Sequence, residues 1–280
     1  MGRAREGIRA MKRFLSLGAG VQSSTLALMI AHGELGPVDA AIFADTQWEP
    51  RKVYEWLDWL EAEIQRCPHP FPVYRVTKGS LRDAAITSKN TSGGRFASIP
   101  WHMTLPNGDR AMGRRQCTSE YKLGPLTQKA RELIGLAPRQ RAKGILCEML
   151  IGISTDEAIR MKPSREPWKL HRWPLIEKGM ARHDCLRWME RKGYPLPPKS
   201  SCIGCPYHHD NEWRAIKADP EAWADAVEID RIIREPARGM RGRQFMHRSC
   251  VPLDQVDLST AADHGQVDMF NNECEGMCGV

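Results

Sequence analysis

Two cysteines in the second half of the chain have the spacing that metal sites and redox dithiols use. Cys202 and Cys205 lie in the segment SSCIGCP, residues 200–206. Glycine and proline make this segment a stiff loop in which two thiolates can converge on one metal. A single pair of this kind is compatible with a redox dithiol, with zinc and with an iron-sulfur cluster. The spacing therefore predicts thiol chemistry without choosing among the three.

A glycine-rich turn near the start of the chain has the residues of an anion site. The segment SLGAGVQSST, residues 16–25, contains Gly18 and Gly20 and lies between an apolar run and a helical pattern. Such a turn directs backbone N–H groups and the positive end of a helix dipole at a ligand. Ser23 and Ser24 would add hydroxyl donors for phosphate oxygens. The turn matches neither a Walker loop nor the three-glycine dinucleotide turn, so it predicts a phosphate site of another type.

The segments that must position these groups alternate between strand and helix patterns. Apolar runs predict strands over residues 12–18, 39–45, 71–78 and 148–154. Periodic apolar spacing predicts helices over 23–33, 50–66, 119–135 and 181–193, and two helices joined at Asp219-Pro220 over 211–235. Alternation of this kind predicts an α/β fold, a mostly parallel sheet with helices on both faces. Residues 79–116 lack a regular pattern, and an irregular segment of this length is either functional or a solvated excursion.

Composition and charge limit the class of protein. Of the 280 residues, 41% are apolar and 27% charged, and no apolar run approaches the roughly 18 residues of a membrane span. The net charge of +7 is expected to attract polyanions, nucleotides or nucleic acid, although a merely basic soluble protein would have the same charge. Nine cysteines without an export signal predict a reducing, cytoplasmic location and no membrane partner.

The glycine turn resembles the PP-loop of the ATP pyrophosphatases, whose pattern is Ser-Gly-Gly-x-Asp-Ser-Ser. In that alignment Gly18 replaces the first Ser, Ala19 the first Gly and Gln22 the Asp. Further segments are similar, in chain order, to the phosphoadenosine phosphosulfate (PAPS) reductase branch of this superfamily. These segments are FADTQWEPRKVYEWLDWL (43–60), RRQCTSEYKLGPL (114–126), IGISTDEAIRMKPS (151–164), WPLIEKG (173–179), SSCIGCP (200–206) and ECEGMC (273–278). Gln47 replaces a glycine of the branch, and Thr118 replaces the second of two adjacent cysteines.

The resemblance implies an adenine nucleotide alpha-hydrolase-like fold that binds ATP, or a related adenine nucleotide, with Mg²⁺. The nucleotide-binding residues that it implies are Gly18, Gly20, Gln22, Ser23, Ser24, Asp45, Thr46, Gly152 and Arg160. Gln22 leaves ATP hydrolysis open, because the Asp of the family would favour Mg²⁺ and Gln lacks the charge. Without the resemblance, Arg160 would be interpreted as a surface arginine paired with Asp156 or Glu157.

The resemblance also implies a metal centre and two domains. In cluster-bearing members of the branch the corresponding cysteine motifs ligate a [4Fe-4S] cluster, which makes Cys117, Cys202 and Cys205 the implied ligands here. The fourth ligand is either Cys185 or an open position on one iron, and zinc is the alternative metal. The predicted organisation is a PP-loop domain over residues 13–195 and a helical, Cys-bearing part over residues 196–280.

The C-terminal tail contains a candidate nucleophile. In reductases of the branch a cysteine in a Glu-Cys-Gly-x-His tail attacks bound sulfur, and Cys274 has the corresponding position. Here Glu275 replaces the glycine, no histidine follows, and Cys278 lies close by. A frayed chain end without a catalytic role is the alternative.

Three functions follow from these observations. The favoured one is an ATP-dependent sulfurtransferase that adenylates an acceptor, with nucleic acid as a candidate, and delivers sulfur through an iron-sulfur centre. The second is a sulfonucleotide reductase that uses Cys274 and thioredoxin, and the third is a non-enzymatic, zinc-stabilised nucleic-acid-binding protein. The expected partners are an adenine nucleotide, a nucleic-acid acceptor and a sulfur-donor protein or thioredoxin, and the sequence leaves a homo-oligomer open.

Overall fold

The computed structural model describes residues 11–87, 98–137, 139–235, 242–260 and 263. Within these residues the strands are β1 (Lys12–Leu17), β2 (Ala40–Asp45), β3 (Val73–Thr77), β4 (His102–Thr104), β5 (Arg110–Met112), β6 (Cys147–Ile151), β7 (Lys169–Arg172) and β8 (Arg243–Phe245). The α-helices are α1 (Val21–Ala31), α2 (Arg51–Arg66), α3 (Leu81–Thr87), α4 (Gly124–Leu133), α5 (Pro174–Glu177), α6 (Arg182–Arg191), α7 (Asp210–Lys217) and α8 (Pro220–Arg234). A π-helical segment covers Thr118–Leu123, and 3-10 helices cover Thr155–Arg160 and Leu253–Gln255. None of the helices in these residues is long and apolar enough to cross a membrane.

Five strands form a parallel sheet in the order β3-β2-β1-β6-β7. β1 lies at the centre, where Leu15 pairs with Ala41 of β2 and with Leu150 of β6. After β1 the chain adds β2 and β3 on one side and then returns to add β6 and β7 on the other. The winding therefore reverses between β1 and β6, the position at which open α/β sheets bind ligands.

Alternate side chains of β1 build two cores on opposite faces of this sheet. Leu15 and Leu17 lie in a core with residues of α1, α2 and α6, whereas Phe14 lies in a core with residues of α4. Burial of a large apolar side chain contributes roughly 1.5–3 kcal/mol, so this alternation fixes which face each helix covers. The predicted parallel sheet with helices on both faces is confirmed.

A third core lies around a small antiparallel sheet, whose order is β5-β4-β8. The indoles of Trp101 and Trp213 are fully buried in it, together with residues of α3, α7 and α8. The sequence did not predict this sheet, because strands of three residues are too short to show an alternating pattern. Residues from both sides of the domain boundary predicted near residue 195 contribute to this core.

Candidate nucleotide site and thiol pocket

A cavity of about 430 Å³ lies at the carboxyl ends of β1 and β6, where the winding of the sheet reverses. We call it the switch-point cavity. The glycine turn and the start of α1 border it on one side, the residues that follow β6 border it on another, and residues 196–200 close it. The fold and this cavity define an α/β protein with a ligand-sized crevice at the carboxyl edge of its parallel sheet.

The glycine turn presents backbone to the switch-point cavity. Gly20 is the N-cap of α1 and brings no capping side chain, so the first N–H groups of the helix and the positive end of its dipole are available to an anion. The Ser23 hydroxyl accepts a hydrogen bond from Gly18 N at 3.1 Å and lies 3.3 Å from Gly20 O. Ser23 therefore closes the turn while also lining the cavity.

Two positions at which the resemblance expects glycine have a left-handed backbone. Ala19 has φ 57° and Gln47 has φ 56°. This region costs a residue other than glycine about 1–2 kcal/mol. Ala19 recovers part of this cost because its methyl group is fully buried, whereas Gln47 is exposed.

We therefore expect Gln47→Gly to raise the free energy of unfolding by roughly 0.5–1 kcal/mol, because glycine adopts positive φ without a steric cost. The variant keeps the backbone N–H that donates to Asp45 Oδ1 at 2.7 Å. Urea denaturation of both proteins measures the change. Gln255→Gly is the matched control, since Gln255 is also exposed but has no positive φ, and it should lower stability by a few tenths to about 1 kcal/mol. Equal effects of the two substitutions would contradict the strain at Gln47.

Gly152 follows β6 and approaches the backbone of α1 closely. A Cβ atom at this position would lie 2.8 Å from Ser23 N and 2.9 Å from Ser23 Cα. Neither backbone atom can move without displacing the glycine turn, so only glycine fits here. Gly152 thus holds the turn against the end of β6, as well as bordering the switch-point cavity.

Gln22 occupies the position where the resemblance expects Asp, and its amide is fixed by neighbours. Gln22 Nε2 donates to Glu157 Oε2 at 3.2 Å and to Ser154 Oγ at 3.3 Å. Glu157 Oε1 in turn accepts a 2.6 Å hydrogen bond from Arg160. A carboxylate therefore borders the cavity after all, but it comes from the 3-10 helix after β6 and is paired with a guanidinium.

Arg160 combines the two roles that the sequence left open. It pairs with Glu157 and also lines the switch-point cavity. Its Nε is buried and has no hydrogen-bond partner among the residues that the structure describes. An anion oxygen would satisfy this donor, and hydrogen bonds from guanidinium to phosphate are among the stronger ones in proteins.

Lys199 brings a further cation to the cavity from the loop that precedes the cysteines. Its ammonium group pairs with Glu212 of α7, and Glu212 Oε2 also accepts a hydrogen bond from His209 N at 2.5 Å. Burial raises the pKa of Glu212, but the nearby His208 ring and the hydrogen bonds from Lys199 and the His209 N–H outweigh it and lower the pKa to about 2. The pair therefore fixes the loop to α7 at the cavity wall.

This pKa shift predicts a loss of stability in acid. The carboxylate is more acidic in the folded chain than its ordinary value of 4.5, so its contribution is complete above about pH 4.5 and is lost as the pH falls toward 2. Glu212→Gln should lower the melting temperature at pH 7, and the difference from wild type should shrink below pH 4.5. Thermal unfolding from pH 7 to pH 3 measures it, and a constant difference across this range would contradict the assignment.

Three of the predicted nucleotide-binding residues do not border the switch-point cavity. Ser24 is fully buried inside α1, where its hydroxyl accepts a 2.9 Å hydrogen bond from Trp56 Nε1 of α2. The helix begins at Val21, so Ser24 is already one turn inside it and its hydroxyl meets α2 rather than the cavity. Asp45 Oδ1 accepts hydrogen bonds from Gln47 N and from the Tyr54 hydroxyl, which fixes the turn after β2. The third residue, Thr46, lies next to the cysteines, where its hydroxyl is 3.2 Å from Cys202 Sγ.

Three of the predicted metal ligands border one small pocket. Cys117, Cys202 and Cys205 line a space of about 20 Å³, which we call the thiol pocket. None of the three is in a disulfide, and Cys202 is 8% exposed. Cys117 precedes the π-helical segment, and its backbone N–H donates to Ser98 O at 2.8 Å. The structure thus brings together cysteines that lie 85 or more positions apart in the chain.

The loop that contains Cys202 and Cys205 is held by hydrogen bonds from three ring side chains. Carbonyls of the loop accept hydrogen bonds at 3.0 to 3.2 Å from ring nitrogens, Cys202 from His208, Gly204 from Trp101 and Pro206 from His102. At Gly204 a Cβ atom would lie 2.1 Å from the Trp48 ring, so only glycine allows this packing. The loop is therefore held by three side-chain hydrogen bonds and by close packing at Gly204, and His208 acts as a hydrogen-bond donor within it.

The three cysteines are the type of ligand that zinc and iron-sulfur clusters bind, and they reach one pocket from two segments of the chain. In the described part of the chain, no three His, Cys, Asp or Glu side chains already surround a common point as metal ligands. Metal binding would have to draw the thiols together.

Cys185, the predicted fourth ligand, is not at the thiol pocket. It is fully buried in α6, in the core under α1, and burial raises the pKa of its thiol to about 12. The helical pattern of residues 181–193 turns this side chain toward the sheet. Cys274 and Cys278 lie outside the described residues.

Glu49 is a residue of the site that the sequence analysis missed. Its side chain is 2% exposed, and its Oε1 accepts hydrogen bonds from the Thr46 hydroxyl at 3.0 Å and from Cys202 Sγ at 3.3 Å. Lys122 Nζ lies 3.8 Å from the same oxygen. A glutamate four residues after a strand carries no signal of such burial, because Cys202 and Lys122 come from distant segments.

A third cavity, of about 30 Å³, lies between the switch-point cavity and the thiol pocket and shares lining residues with each. This connecting cavity shares Ser16, Gly18 and Ser200 with the first and Lys122 with the second. The Ser200 hydroxyl donates to Gly18 O of the glycine turn, and Cys202 follows two residues later. The loop therefore contacts the glycine turn at one end and contributes thiols at the other.

Comparison with known proteins gives no further guide to the family. No protein-family model matches the sequence, and no curated protein is detectably similar to it.

Proposed function

We propose that this chain is a PP-loop protein of the PAPS reductase-like branch, which binds ATP in the switch-point cavity and acts as a sulfurtransferase. The observation that carries the proposal is the position of the Ser200–Cys205 loop, which joins the glycine turn to the thiol pocket. A phosphate-type crevice and a set of thiols are thereby neighbours, as a reaction that combines nucleotide activation with sulfur chemistry requires.

The charges of the cavity support a polyphosphate ligand. Arg160, Arg182 and Lys199 line it, against the carboxylates of Glu157 and Glu212. The amino end of α1 adds N–H donors, and together these groups would bind the phosphates and orient the α-phosphate. Attack of an acceptor oxygen on that phosphorus would release pyrophosphate. Because both carboxylates are already paired, Mg²⁺ would be held mainly by the phosphates and water.

Cys117, Cys202 and Cys205 would hold the metal centre, which we propose to be an iron-sulfur cluster. When bound, such a cluster would supply a site that carries sulfide for transfer. Cys202 and the neighbouring Trp101 are buried, whereas Cys117 and Cys205 are partly exposed, so the pocket has one buried side and one side that solvent reaches. The acceptor would be a nucleophilic oxygen or a nucleobase of a polyanion. The net charge of +7 favours nucleic acid as this polyanion.

Anaerobic purification followed by iron, sulfide and zinc analysis and equilibrium dialysis with ATP tests the proposal. We expect the purified protein to contain iron and sulfide and to bind ATP measurably. Arg160→Gln should weaken ATP binding about 10-fold, because it removes one charge-assisted contact. Arg66→Gln on α2 is the control, because Arg66 is 70% exposed and does not border the cavity. A zinc-containing, colourless protein without ATP affinity would overturn the proposal in favour of a nucleic-acid-binding protein. Release of sulfite from a sulfonucleotide would favour the reductase.

A further inference from the structure

We propose that the Glu49 carboxylate is an oxygen ligand of the thiolate-bound metal centre and completes the set of Cys117, Cys202 and Cys205. This inference rests on the proposed function only in that it needs a metal at the thiol pocket, whether an iron-sulfur cluster or a single zinc ion.

The burial of Glu49 is the first observation that points to a ligand. Its side chain is 2% exposed, yet Oε2 has no hydrogen-bond partner among the described residues. A buried carboxylate oxygen without a partner is costly, and the nearest cation, Lys122, lies 3.8 Å from the other oxygen. A metal cation at the thiols would compensate the negative charge, and a carboxylate that binds this cation through both oxygens would also use the unpaired Oε2.

The second observation is the distance between Glu49 and a thiol that borders the pocket. Glu49 Oε1 lies 3.3 Å from Cys202 Sγ. Sulfur and oxygen ligands of one tetrahedral zinc ion lie about 3.6 Å apart, given metal-ligand bonds of about 2.3 Å and 2.1 Å. The two donors are therefore already within reach of one metal ion. On binding, the Cys202 proton would be released to solvent, and the metal would replace it between sulfur and oxygen.

The third observation is an arrangement that orients the carboxylate. Thr46, fully buried at the end of β2, donates its hydroxyl proton to Glu49 Oε1 and also lies 3.2 Å from Cys202 Sγ. Metal-binding carboxylates are usually held by such a second hydrogen bond. Glu49 also lines the connecting cavity together with Gly18 and Ser200, so this oxygen ligand faces the side from which the nucleotide site is reached.

A soft or borderline metal binds a carboxylate oxygen more weakly than it binds thiolates. The ligand position that faces the connecting cavity would therefore be the exchangeable one. The inference assigns to Glu49 the fourth position, which the sequence left to Cys185 or to an open iron.

Metal binding to the full-length chain tests this assignment without relying on activity. Wild type, Glu49→Gln, Glu49→Cys and the control Glu148→Gln are purified without metal and titrated with Co²⁺ alone. In parallel they are reconstituted anaerobically with iron and sulfide. Glu148 is a suitable control because it is also a buried glutamate, 7% exposed, but lies near the amino end of β6 and pairs with Arg13 and Arg172.

We expect Glu49→Gln to weaken Co²⁺ binding about 10- to 100-fold and to shift the ligand-field absorption bands. Glu49→Cys should retain tight binding with stronger sulfur-to-cobalt charge-transfer absorption, since a fourth thiolate replaces the oxygen. Glu148→Gln should match wild type. Reconstitution with iron and sulfide distinguishes a cluster from a single metal ion. If a cluster is bound, its electron paramagnetic resonance (EPR) signal should differ from that of wild type in both Glu49 variants.

Two results would overturn the assignment. If wild type binds metal and Glu49→Gln has the same affinity and spectrum, Glu49 is not a ligand, while the proposed function stands. If wild type binds neither cobalt nor iron at the thiols, both proposals fail. Should Glu49→Gln not fold, Glu49→Cys decides, because an unchanged charge-transfer intensity in that variant also excludes position 49 as a ligand.

Discussion

Cys202→Ser is expected to lower the metal affinity of the chain by more than the roughly 10- to 100-fold that loss of an outer partner costs. The reason is the position of this thiol, which is 8% exposed, borders the thiol pocket and contacts Thr46 and Glu49. A serine hydroxyl is a poor ligand for iron or zinc, and a hydroxyl there would leave Glu49 without a compensating cation. Iron, sulfide and zinc per chain after anaerobic purification measure the effect.

Cys185→Ala is the control for this experiment. Cys185 lies in the core under α1, and its replacement should reduce stability while the metal content stays at the wild-type value. Metal loss in Cys185→Ala together with metal retention in Cys202→Ser would place the centre elsewhere and contradict the account of the thiol pocket.

Gly152→Ala is expected to weaken ATP binding about 10-fold or more and to lower the free energy of unfolding by roughly 1–3 kcal/mol. The added Cβ atom would lie 2.8 Å from Ser23 N and would push the start of α1 away from the end of β6. That displacement would move the N–H donors which the phosphate site needs. Calorimetric titration with ATP and urea denaturation measure the two effects.

Gly20→Ala tests whether the effect is specific to the close approach at Gly152. A Cβ atom on Gly20 would meet only Ser200 Cβ, at the ordinary contact distance of 3.7 Å, and alanine keeps the backbone N–H. This variant should bind ATP within about threefold of wild type, well below the tenfold change that 1.4 kcal/mol produces. Similar ATP affinities in Gly152→Ala and wild type would show that the turn does not depend on this contact.

The sequence was sufficient to predict four of the five parallel strands, because they lie in apolar runs that alternate with helical patterns. The fifth strand, β7, has the sequence KLHR, which is not an apolar run, and it was not predicted. The pair α7 and α8 was also predicted, because the sequence Asp219-Pro220 separates two helical patterns. In the structure Pro220 begins α8, and Asp219 accepts a hydrogen bond from Ala222 N as its N-cap. The small sheet was not, because β4, β5 and β8 have three residues each and β8 pairs with β4 across more than 130 positions. Local patterns carry no information about such distant pairing.

Parts of the candidate site could be predicted where the residue type and its spacing indicate a chemical role. The glycine turn and the pair Cys202 and Cys205 could be selected in this way, whereas Gly152, Arg160 and Cys117 were selected from the resemblance. The structure groups all of them at two neighbouring cavities. Glu49 and Lys199 could not be selected, since their roles come from burial and from partners on other segments. Ser24 and Cys185 were assigned from type and position, but the helical faces of α1 and α6 turn both side chains into the core.

The central claim is that a nucleotide in the switch-point cavity and a metal centre at the thiol pocket lie next to each other. The most direct measurement is the EPR spectrum of the reduced, anaerobically reconstituted protein with and without ATP. The account predicts that saturating ATP changes the spectrum of the centre and that Arg160→Gln shifts this change to higher ATP concentration. ATP binding that leaves the spectrum unchanged would contradict it.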